Sequence, residues 1–265
     1  MSGHSKWSTI KRQKGVADIK RGQTFTKIAN AITIAARLGN SGDPESNPRL
    51  RTLLEEARRV NMPKDNIQRA IDRGLGKLPG QTIEEVTYEG FGPGKVAFYI
   101  EGLTDNRLRT NQEIKNLFDR SGGGLGGSGS VGYMFDKKGE IRVKSQESRQ
   151  SRGSPKAARV KEDEILKLID LGAEDVEDFI EDGIQKYLVY VDSIDINTMG
   201  TTITQEGFNI ESAEIVFKPN ITIDIHDKEL AEKVLNFADK LEEHDDIQKV
   251  YANFNIPEEI IESSR

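Results

Sequence analysis

The stretch VEDFIEDGIQKYLVYVD, from Val176 to Asp192, decides the fold of the C-terminal half of the chain. It predicts two strands, Val176–Glu181 and Lys186–Asp192, and the Asp182-Gly183 dipeptide between them is typical of a tight hairpin turn. Because a hairpin is a local unit, the elements on its two sides determine which architecture it belongs to.

The elements around this hairpin complete a symmetrical pattern. A strand over Glu140–Lys144 and a helix over Lys161–Leu171 precede it, and a helix over Asp195–Glu206 and a strand over Ser212–Phe217 follow it. The order β-α-β-β-α-β is the split βαβ pattern of ferredoxin-like folds. The Ser- and Arg-rich stretch Ser145–Val160 shows no periodicity, and we interpret it as a mobile loop.

The N-terminal part of the chain predicts three helices. Apolar residues at helical spacing indicate a helix over 16–38, Asn47-Pro48 begins a second helix, and Pro63 begins a third. The short turn between the second and third helices is similar to that of helix-turn-helix units. Lys64 and Arg69 on the third helix would then be placed to contact bases or phosphates, although an ordinary solvated helix face is the simpler interpretation of this helix.

The middle of the chain predicts a second α/β layer that is incomplete. Strands Val86–Gly90 and Val96–Glu101 come first, a helix opened by a Thr110/Glu113 capping box follows, and strand Ser130–Phe135 comes last. Helix Asp227–Glu242 and strand Gln248–Phe254 cannot form a domain alone. We therefore expect them to return and complete this layer.

The glycine-rich segment Gly122–Gly129 within this layer invites comparison with phosphate-binding loops. It follows a helix and precedes a strand, which is the reverse of the order in a P-loop, and it lacks the Gly-Lys-Ser/Thr sequence. We interpret it as a flexible connector.

Together these elements predict an α+β protein with an N-terminal three-helix domain and two α/β ferredoxin-like domains, one inserted in the other. The predicted boundaries are 1–78 for a basic helical domain, 82–135 plus 220–258 for a discontinuous α/β domain, and 138–218 for the inserted domain.

Charge is strongly segregated along the chain. The net charge is -6, yet residues 1–80 hold sixteen Lys/Arg against seven Asp/Glu, whereas residues 136–265 hold seventeen against thirty. This reversal indicates that one end binds polyanions and the other repels them. The predicted nucleic-acid contacts in the basic end are Lys6, Trp7, Lys11, Arg12, Lys14, Lys20, Arg21 and Lys27, together with Lys64 and Arg69.

Trp7 lies among these cations, where its indole could stack on a base. The alternative is a solvated N-terminal tail with Trp7 folded back onto a core.

Little in the sequence favours catalysis. The chain has no cysteine, which excludes disulfides, thiolate catalysis and cysteine-ligated zinc. His4, His226 and His244 are not at metal-ligand spacing with one another. The acidic run Glu242–Asp246 could bind a cation, but a solvated helix end is the simpler interpretation. We therefore predict no catalytic residue, no metal, no cofactor and no enzymatic activity.

The residues also resemble those of a known family, the YebC/PmpR family, over nearly the whole chain. The resemblance is carried by these motifs: Gly-His-Ser-Lys-Trp at 3–7, Lys-Arg-Gly at 20–22, Phe-Thr-Lys at 25–27, Asp-Pro at 43–44, Asn-Pro-Arg-Leu-Arg at 47–51, Asn-Met-Pro-Lys-Asp-Asn-Ile at 61–67, Tyr-Glu-Gly-Phe-Gly-Pro-Gly at 88–94, Leu-Thr-Asp-Asn-Arg at 103–107, Gly-Ser-Val-Gly-Tyr-Met-Phe at 129–135 and Asp-Asp-Ile-Gln-Lys-Val-Tyr-Ala-Asn at 245–253. The chain departs from the common pattern at Gly-Lys 94–95 and Arg-Leu-Arg 107–109, and Ser145–Val160 looks longer than usual.

The resemblance implies one helical and two α/β domains around a concavity, in a cytoplasmic bacterial protein. It implies a DNA-binding transcriptional regulator, and it implies that the basic residues between Lys6 and Lys27 make the contacts. Some members of the family are instead linked to the ribosome, where they relieve stalling, and mitochondrial relatives activate translation.

We expect the partner to be DNA, with ribosomal RNA or the ribosome as the alternative, because a basic segment contacts phosphate on either polymer. An enzyme that acts on an anionic substrate in the concavity is a third hypothesis from another class. No apolar run is long enough to span a bilayer. We therefore expect no membrane partner. A cytoplasmic location and a monomer are our default expectations.

Replacing Lys11, Arg12 and Lys14 together by Ala should weaken binding to nucleic acid, because three phosphate-neutralising charges are lost. The melting temperature should stay nearly unchanged, since these residues are predicted to lie in a solvated basic arm. Binding is measured by anisotropy and stability by thermal denaturation. A large fall in melting temperature would show that the three residues are structural.

Overall fold

The protein structure, a computed structural model, describes residues 19–78, 82–146, 155–181, 183–257 and 260. The described chain forms two compact units, the first from residues 19–132 and 225–252 and the second from residues 133–224 and 253–257. Of the predicted mobile loop, residues 147–154 lie outside the described residues, and residues 155–160 are helical, so the prediction is wrong for them. None of the helices in the described ranges has the length and apolar character needed to cross a membrane.

The helices and strands follow one another along the chain with few long connections. In chain order they are α1 (Ile19–Leu38), α2 (Pro48–Arg59), α3 (Lys64–Gly74), β1 (Glu84–Phe91), β2 (Ala97–Thr104), α4 (Arg107–Arg120), β3 (Gly124–Leu125), β4 (Phe135–Lys144), α5 (Pro155–Asp170), β5 (Asp175–Glu181), β6 (Ile184–Asp192), α6 (Ile196–Gln205), β7 (Asn209–Pro219), β8 (Ile223–Asp224), α7 (Lys228–Glu242), β9 (Ile247–Ala252) and β10 (Phe254–Asn255).

The first unit begins with three helices, in which α2 and α3 both pack against α1. Ile32, Leu50 and Ala57 are fully buried in the core that they share. Asn47 caps α2, because its side-chain oxygen accepts a hydrogen bond from the backbone N–H of Leu50 at 3.1 Å. The predicted start of this helix at Asn47-Pro48 is confirmed.

Asn47 also joins two helices. Its side-chain nitrogen donates to the carbonyl of Ala35 near the end of α1 at 2.8 Å, and the residue is buried. One amide therefore satisfies an N–H at the start of α2 and gives the carbonyl of Ala35, which also accepts the backbone N–H of Gly39 at 3.0 Å, a second donor. These two bonds position the two helices relative to each other.

A four-stranded antiparallel sheet with the order β3-β1-β2-β9 completes the first unit. Its core is a cluster of three aromatic rings in which Phe237 of α7 packs edge-on against Phe98 and Phe118, with centroid distances of 5.0 and 4.9 Å. Because β9 pairs with β2 across the sheet, the C-terminal part of the chain returns to this layer, as the sequence predicts.

Two local predictions in this layer are wrong. Asn106, not Thr110, caps α4, because its side chain accepts the N–H of Arg109 at 3.1 Å. Thr110 is instead buried and bonded to other side chains. The predicted strand Ser130–Phe135 is a short 3-10 turn at Gly132–Met134 followed by β4. Both errors arise because tertiary hydrogen bonds compete with local sequence preference.

The glycine-rich segment is not the flexible connector that the sequence predicts. Gly124 and Leu125 form an edge strand on β1, and the buried carboxylate of Glu89 accepts the backbone N–H groups of Gly129, Val131 and Gly132 at 2.7–2.9 Å. Burial raises the pKa of Glu89, but these three hydrogen bonds outweigh burial and lower that pKa below its ordinary value. The loop is therefore held at a defined position.

The second unit contains a four-stranded antiparallel sheet with the order β5-β6-β4-β7. Helices α5 and α6 pack on one face of it, where Ile141, Leu168, Tyr187 and Ile203 are fully buried. Together with the chain order β4-α5-β5-β6-α6-β7, this is the ferredoxin-like arrangement that the sequence predicts. The first sheet has a different connection order, because β1 and β2 form a hairpin before any helix intervenes.

Replacing Asn47 by Ala should lower the free energy of unfolding by about 2 kcal/mol, because a helix cap and a buried interhelical hydrogen bond are lost together. Urea denaturation followed by circular dichroism measures the change. Asn66→Ala, on the exposed surface of α3, is the matched control and should change stability by less than about 0.5 kcal/mol. Equal effects of the two substitutions would contradict the role assigned to Asn47.

Candidate nucleic-acid interface

The structure describes only part of the predicted basic segment. Lys6, Trp7, Lys11, Arg12 and Lys14 lie outside the described residues, so their contact with nucleic acid stays a prediction. The described chain begins at Ile19, and Lys20 and Arg21 fall in the first turn of α1.

Lys27 contacts another part of the protein. Its ammonium group is half-buried and donates a hydrogen bond to the carbonyl of Glu242, the last residue of α7. A cation at this position satisfies a carbonyl that lacks a partner within the helix and interacts favourably with the helix dipole. Gln23, one turn earlier on α1, donates to the carbonyl of Glu243 at 2.9 Å. Lys27 therefore joins the helical segment to the first α/β layer.

Lys64 and Arg69 are both exposed on α3, but they lie on different flanks of that helix. Five residues at about 100° each place them about 140° apart. Arg69 shares its flank with Asn66 and Arg73, at spacings of three and four residues. The two predicted contacts therefore cannot bind the same phosphate, and each would contact a separate part of a nucleic acid.

Three further exposed cations lie on α2: Arg51, Arg58 and Arg59. Within the part of the chain that the structure describes, no carboxylate pairs with them, in contrast to Arg49, which lies 2.9 Å from Glu85. Sequence reasoning did not single out these arginines, although all three lie off the leucine stripe of α2. An exposed guanidinium without a protein partner is available to a phosphate.

A cleft of about 830 Å³ lies within the first unit, between the helical segment and the first α/β layer. Its lining is mostly polar and carries both signs of charge. The lining residues are Gln23, Thr26, Asn30, Arg73, Ile83, Asp105, Arg109, Glu113, Asn116, Leu117, Arg120 and Glu243–Asp246.

Asp246 is the most heavily bonded residue of this cleft. One of its carboxylate oxygens accepts hydrogen bonds from Thr110 at 2.6 Å, from Arg109 at 2.7 Å and from Thr104 at 3.2 Å. Burial raises the pKa of Asp246, but the hydrogen bonds from Thr110 and Arg109 and the charge of Arg109 outweigh burial and lower that pKa. Asp246 is therefore a buried carboxylate held in its charged form.

The interpretation of residues 242–246 as a solvated helix end is wrong for Asp246, which is only 7% exposed. The sequence did not show its partners because they are more than 130 residues away along the chain.

Glu113, His244 and Asp246 offer ligand atoms within 4.8 Å of one another, a set that metal ions also use. The backbone N–H of Asp246 donates to Nδ1 of His244 at 3.2 Å, so the proton of a neutral His244 lies on Nε2 and points to Glu113 at 3.0 Å. Arg109 binds the carboxylate of Asp246, so each of the three side chains already has a hydrogen-bond partner within the protein.

Known proteins resemble the chain along almost its entire length. Residues 5–77 match the TACO1/YebC protein N-terminal domain, and residues 83–254 match the TACO1/YebC second and third domain. A protein of Persephonella marina is 45% identical over 262 residues and covers 99% of both chains. A protein of Sulfurihydrogenibium is 47% identical over 263 residues, covering 99% of this chain and 98% of its own. Both are named probable transcriptional regulatory proteins.

A solved structure has the same fold. The crystal structure of a conserved hypothetical protein from Aquifex aeolicus superposes with a TM-score of 0.74 at 42% identity, covering 91% of this chain and 92% of its own. The predicted fold class, a helical domain followed by two α/β domains, is confirmed.

Replacing Asp246 by Asn should lower the free energy of unfolding at neutral pH by about 2 kcal/mol, because charge-assisted hydrogen bonds from Arg109 and Thr110 are weakened. The pKa of Asp246 is lower in the folded protein than in the unfolded chain. Its stabilisation is therefore present above the unfolded pKa and is lost as the pH falls through the folded pKa.

The stability difference between the wild type and Asp246→Asn should consequently shrink below about pH 4. Urea denaturation at a series of pH values measures it, with the exposed neighbour Asp245→Asn as the control. If the stability difference between the wild type and Asp246→Asn stays constant as the pH falls, Asp246 does not have the lowered pKa that we assign to it.

Proposed function

The chain belongs to the TACO1/YebC family, and from that membership we propose that it is a nucleic-acid-binding regulator of gene expression that acts on DNA as a transcriptional regulator. The names of its relatives support a regulatory role. We infer DNA binding from the charges of the helical segment.

The main support is the set of exposed cations without protein partners on α2 and α3. Arg51, Arg58, Arg59, Lys64 and Arg69 are exposed, and no carboxylate among the described residues pairs with any of them. If they served only to stabilise the fold, we would expect them to pair with nearby acids, as Arg49 does with Glu85. A phosphate backbone supplies the negative charges that the fold itself does not.

The distribution of charge over the rest of the chain supports the same proposal. The acidic residues concentrate after residue 136, so a polyanion is attracted to one end of the sequence and repelled by the other. Lys11, Arg12, Lys14 and Trp7 add three charges and one stacking surface to the attractive end. Phosphate contacts of this kind position the protein, whereas sequence preference requires contacts to base edges.

The experiment that identifies the polymer is crosslinking in cells followed by sequencing of the bound DNA and RNA. Enrichment of promoter DNA is the expected result. Enrichment of ribosomal RNA, together with migration on ribosomes in a density gradient that persists after DNase treatment, would overturn the DNA assignment in favour of a translation factor. Equal affinity for promoter and scrambled duplexes in vitro would also count against transcriptional regulation.

Replacing Lys64 and Arg69 together by Ala should reduce the slope of log affinity against log salt by about two, because each residue contacts a separate phosphate. Titration of a labelled duplex at several salt concentrations measures the slope. The matched control is Arg49→Ala, which removes a cation that Glu85 already neutralises and should leave the slope nearly unchanged. If Arg49→Ala reduced the slope as much as the double substitution does, the slope would depend only on the net charge of the protein.

A further inference from the structure

We propose that the cleft in the first unit binds one nucleotide of a single nucleic-acid strand, and that Arg73 and Arg120 bind its phosphate. This inference rests on the proposed function and assigns to the cleft a ligand of defined chemistry. The nucleotide comes from a DNA strand, an RNA strand or free solution, and binding measurements with each of these ligands distinguish the sources.

The first observation is the different environment of the three arginines that line the cleft. Arg109 is bound to Asp246 at 2.7 Å and lies within 4 Å of Asp105 and Glu113. Arg73 and Arg120 are exposed and pair with no carboxylate of the described chain, although the same cleft holds five of them. Two guanidinium groups in a cleft, each with donors in a fork geometry, suit a phosphate.

The second observation is the continuity between Arg73 and the proposed interface. Arg69 and Arg73 are four residues apart on the same flank of α3, which places their side chains next to each other. Arg69 is one of the exposed cations of the helical segment, and Arg73 lines the cleft. A strand whose backbone follows this flank of α3 therefore reaches the cleft without leaving the cationic surface.

The third observation limits how much of the strand the cleft can hold. Glu243 and Asp245 are exposed carboxylates on its lining, in addition to the three that Arg109 and His244 contact. This negative charge repels a run of several phosphates but favours groups that donate hydrogen bonds, such as the amino groups of guanine, adenine and cytosine. A single nucleotide combines one anionic group with such a base.

The size and the remaining lining of the cleft fit this ligand. Its volume of about 830 Å³ falls within the range of small-molecule sites. The amides of Asn30 and Asn116 can donate and accept hydrogen bonds, and the half-buried Leu117 adds apolar surface for the face of a base. Recognition of an unstacked base in a pocket of this kind requires a single strand or an unpaired end.

The test uses the full-length protein and labelled nucleic acids of one sequence, prepared as a DNA strand, an RNA strand and a DNA duplex. Arg73→Gln and Arg120→Gln should each weaken single-strand binding about tenfold and reduce the salt slope by about one. Binding to the duplex should change less than about twofold, because a paired base cannot enter the cleft. Lys115→Gln is the matched control, because it removes an exposed cation of α4 that does not line the cleft. It should change neither single-strand binding nor duplex binding.

If Arg73→Gln and Arg120→Gln weaken binding to the DNA strand, to the RNA strand or to both, but not to the duplex, the result supports the inference. It also identifies the strand that supplies the nucleotide. Guanosine monophosphate serves as the free-nucleotide probe, and calorimetric binding that Arg120→Gln abolishes also supports it. If Arg120→Gln behaves like Lys115→Gln, or weakens duplex binding as much as single-strand binding, the cleft inference is overturned while the proposed function stands. If the wild type binds none of the three nucleic acids, the proposed function fails as well.

Discussion

The first α/β layer depends on one buried carboxylate, that of Asp246. The chain leaves this layer after β3, forms residues 133–224 of the second unit and returns through α7 and β9. On return, the carbonyl of Asp246 accepts the backbone N–H of Leu103 at 2.7 Å, and its side chain accepts hydrogen bonds from Thr104, Thr110 and Arg109. A charge placed in a largely buried position is tolerated only when such donors surround it, so the returning segment has one well-defined position against β2 and α4.

The helical segment is tied to the same region by contacts at the end of α7. Lys27 and Gln23 of α1 bind the carbonyls of Glu242 and Glu243, three to four residues before Asp246. Ile34 packs with Ile83 and Leu103 in a small core of their own. The basic helices and the first sheet consequently form one compact unit, and the cleft between them has walls from both. The lining has mixed charge because its arginines come from α3 and α4, whereas its carboxylates come from residues 105–113 and from the segment that follows α7.

Several features of this protein could be predicted because they depend on neighbours in the sequence. The start of α2 at Asn47-Pro48 is encoded within four residues, since the cap and the N–H that it satisfies are adjacent. The hairpin of β5 and β6 is similarly local. The capping box assigned to Thr110 was wrong for the opposite reason: that hydroxyl group contacts Asp246, 136 residues away, and Asn106 caps the helix instead. Lys27 likewise looked like a free cation because its partner is 215 residues distant.

The sequence by itself determined the element types, the ferredoxin-like order of the inserted domain and the segregation of charge, because periodicity, turn residues and charge counts are properties of short stretches. Only the tertiary structure decided which charges remain available to a partner. It paired Arg109 with Asp246 and Lys27 with the end of α7, and it left Arg73 and Arg120 on a cleft without carboxylate partners among the described residues. The physical reason is that an ion pair or a buried hydrogen bond depends on distance in space, and the fold brings together residues that the sequence keeps far apart.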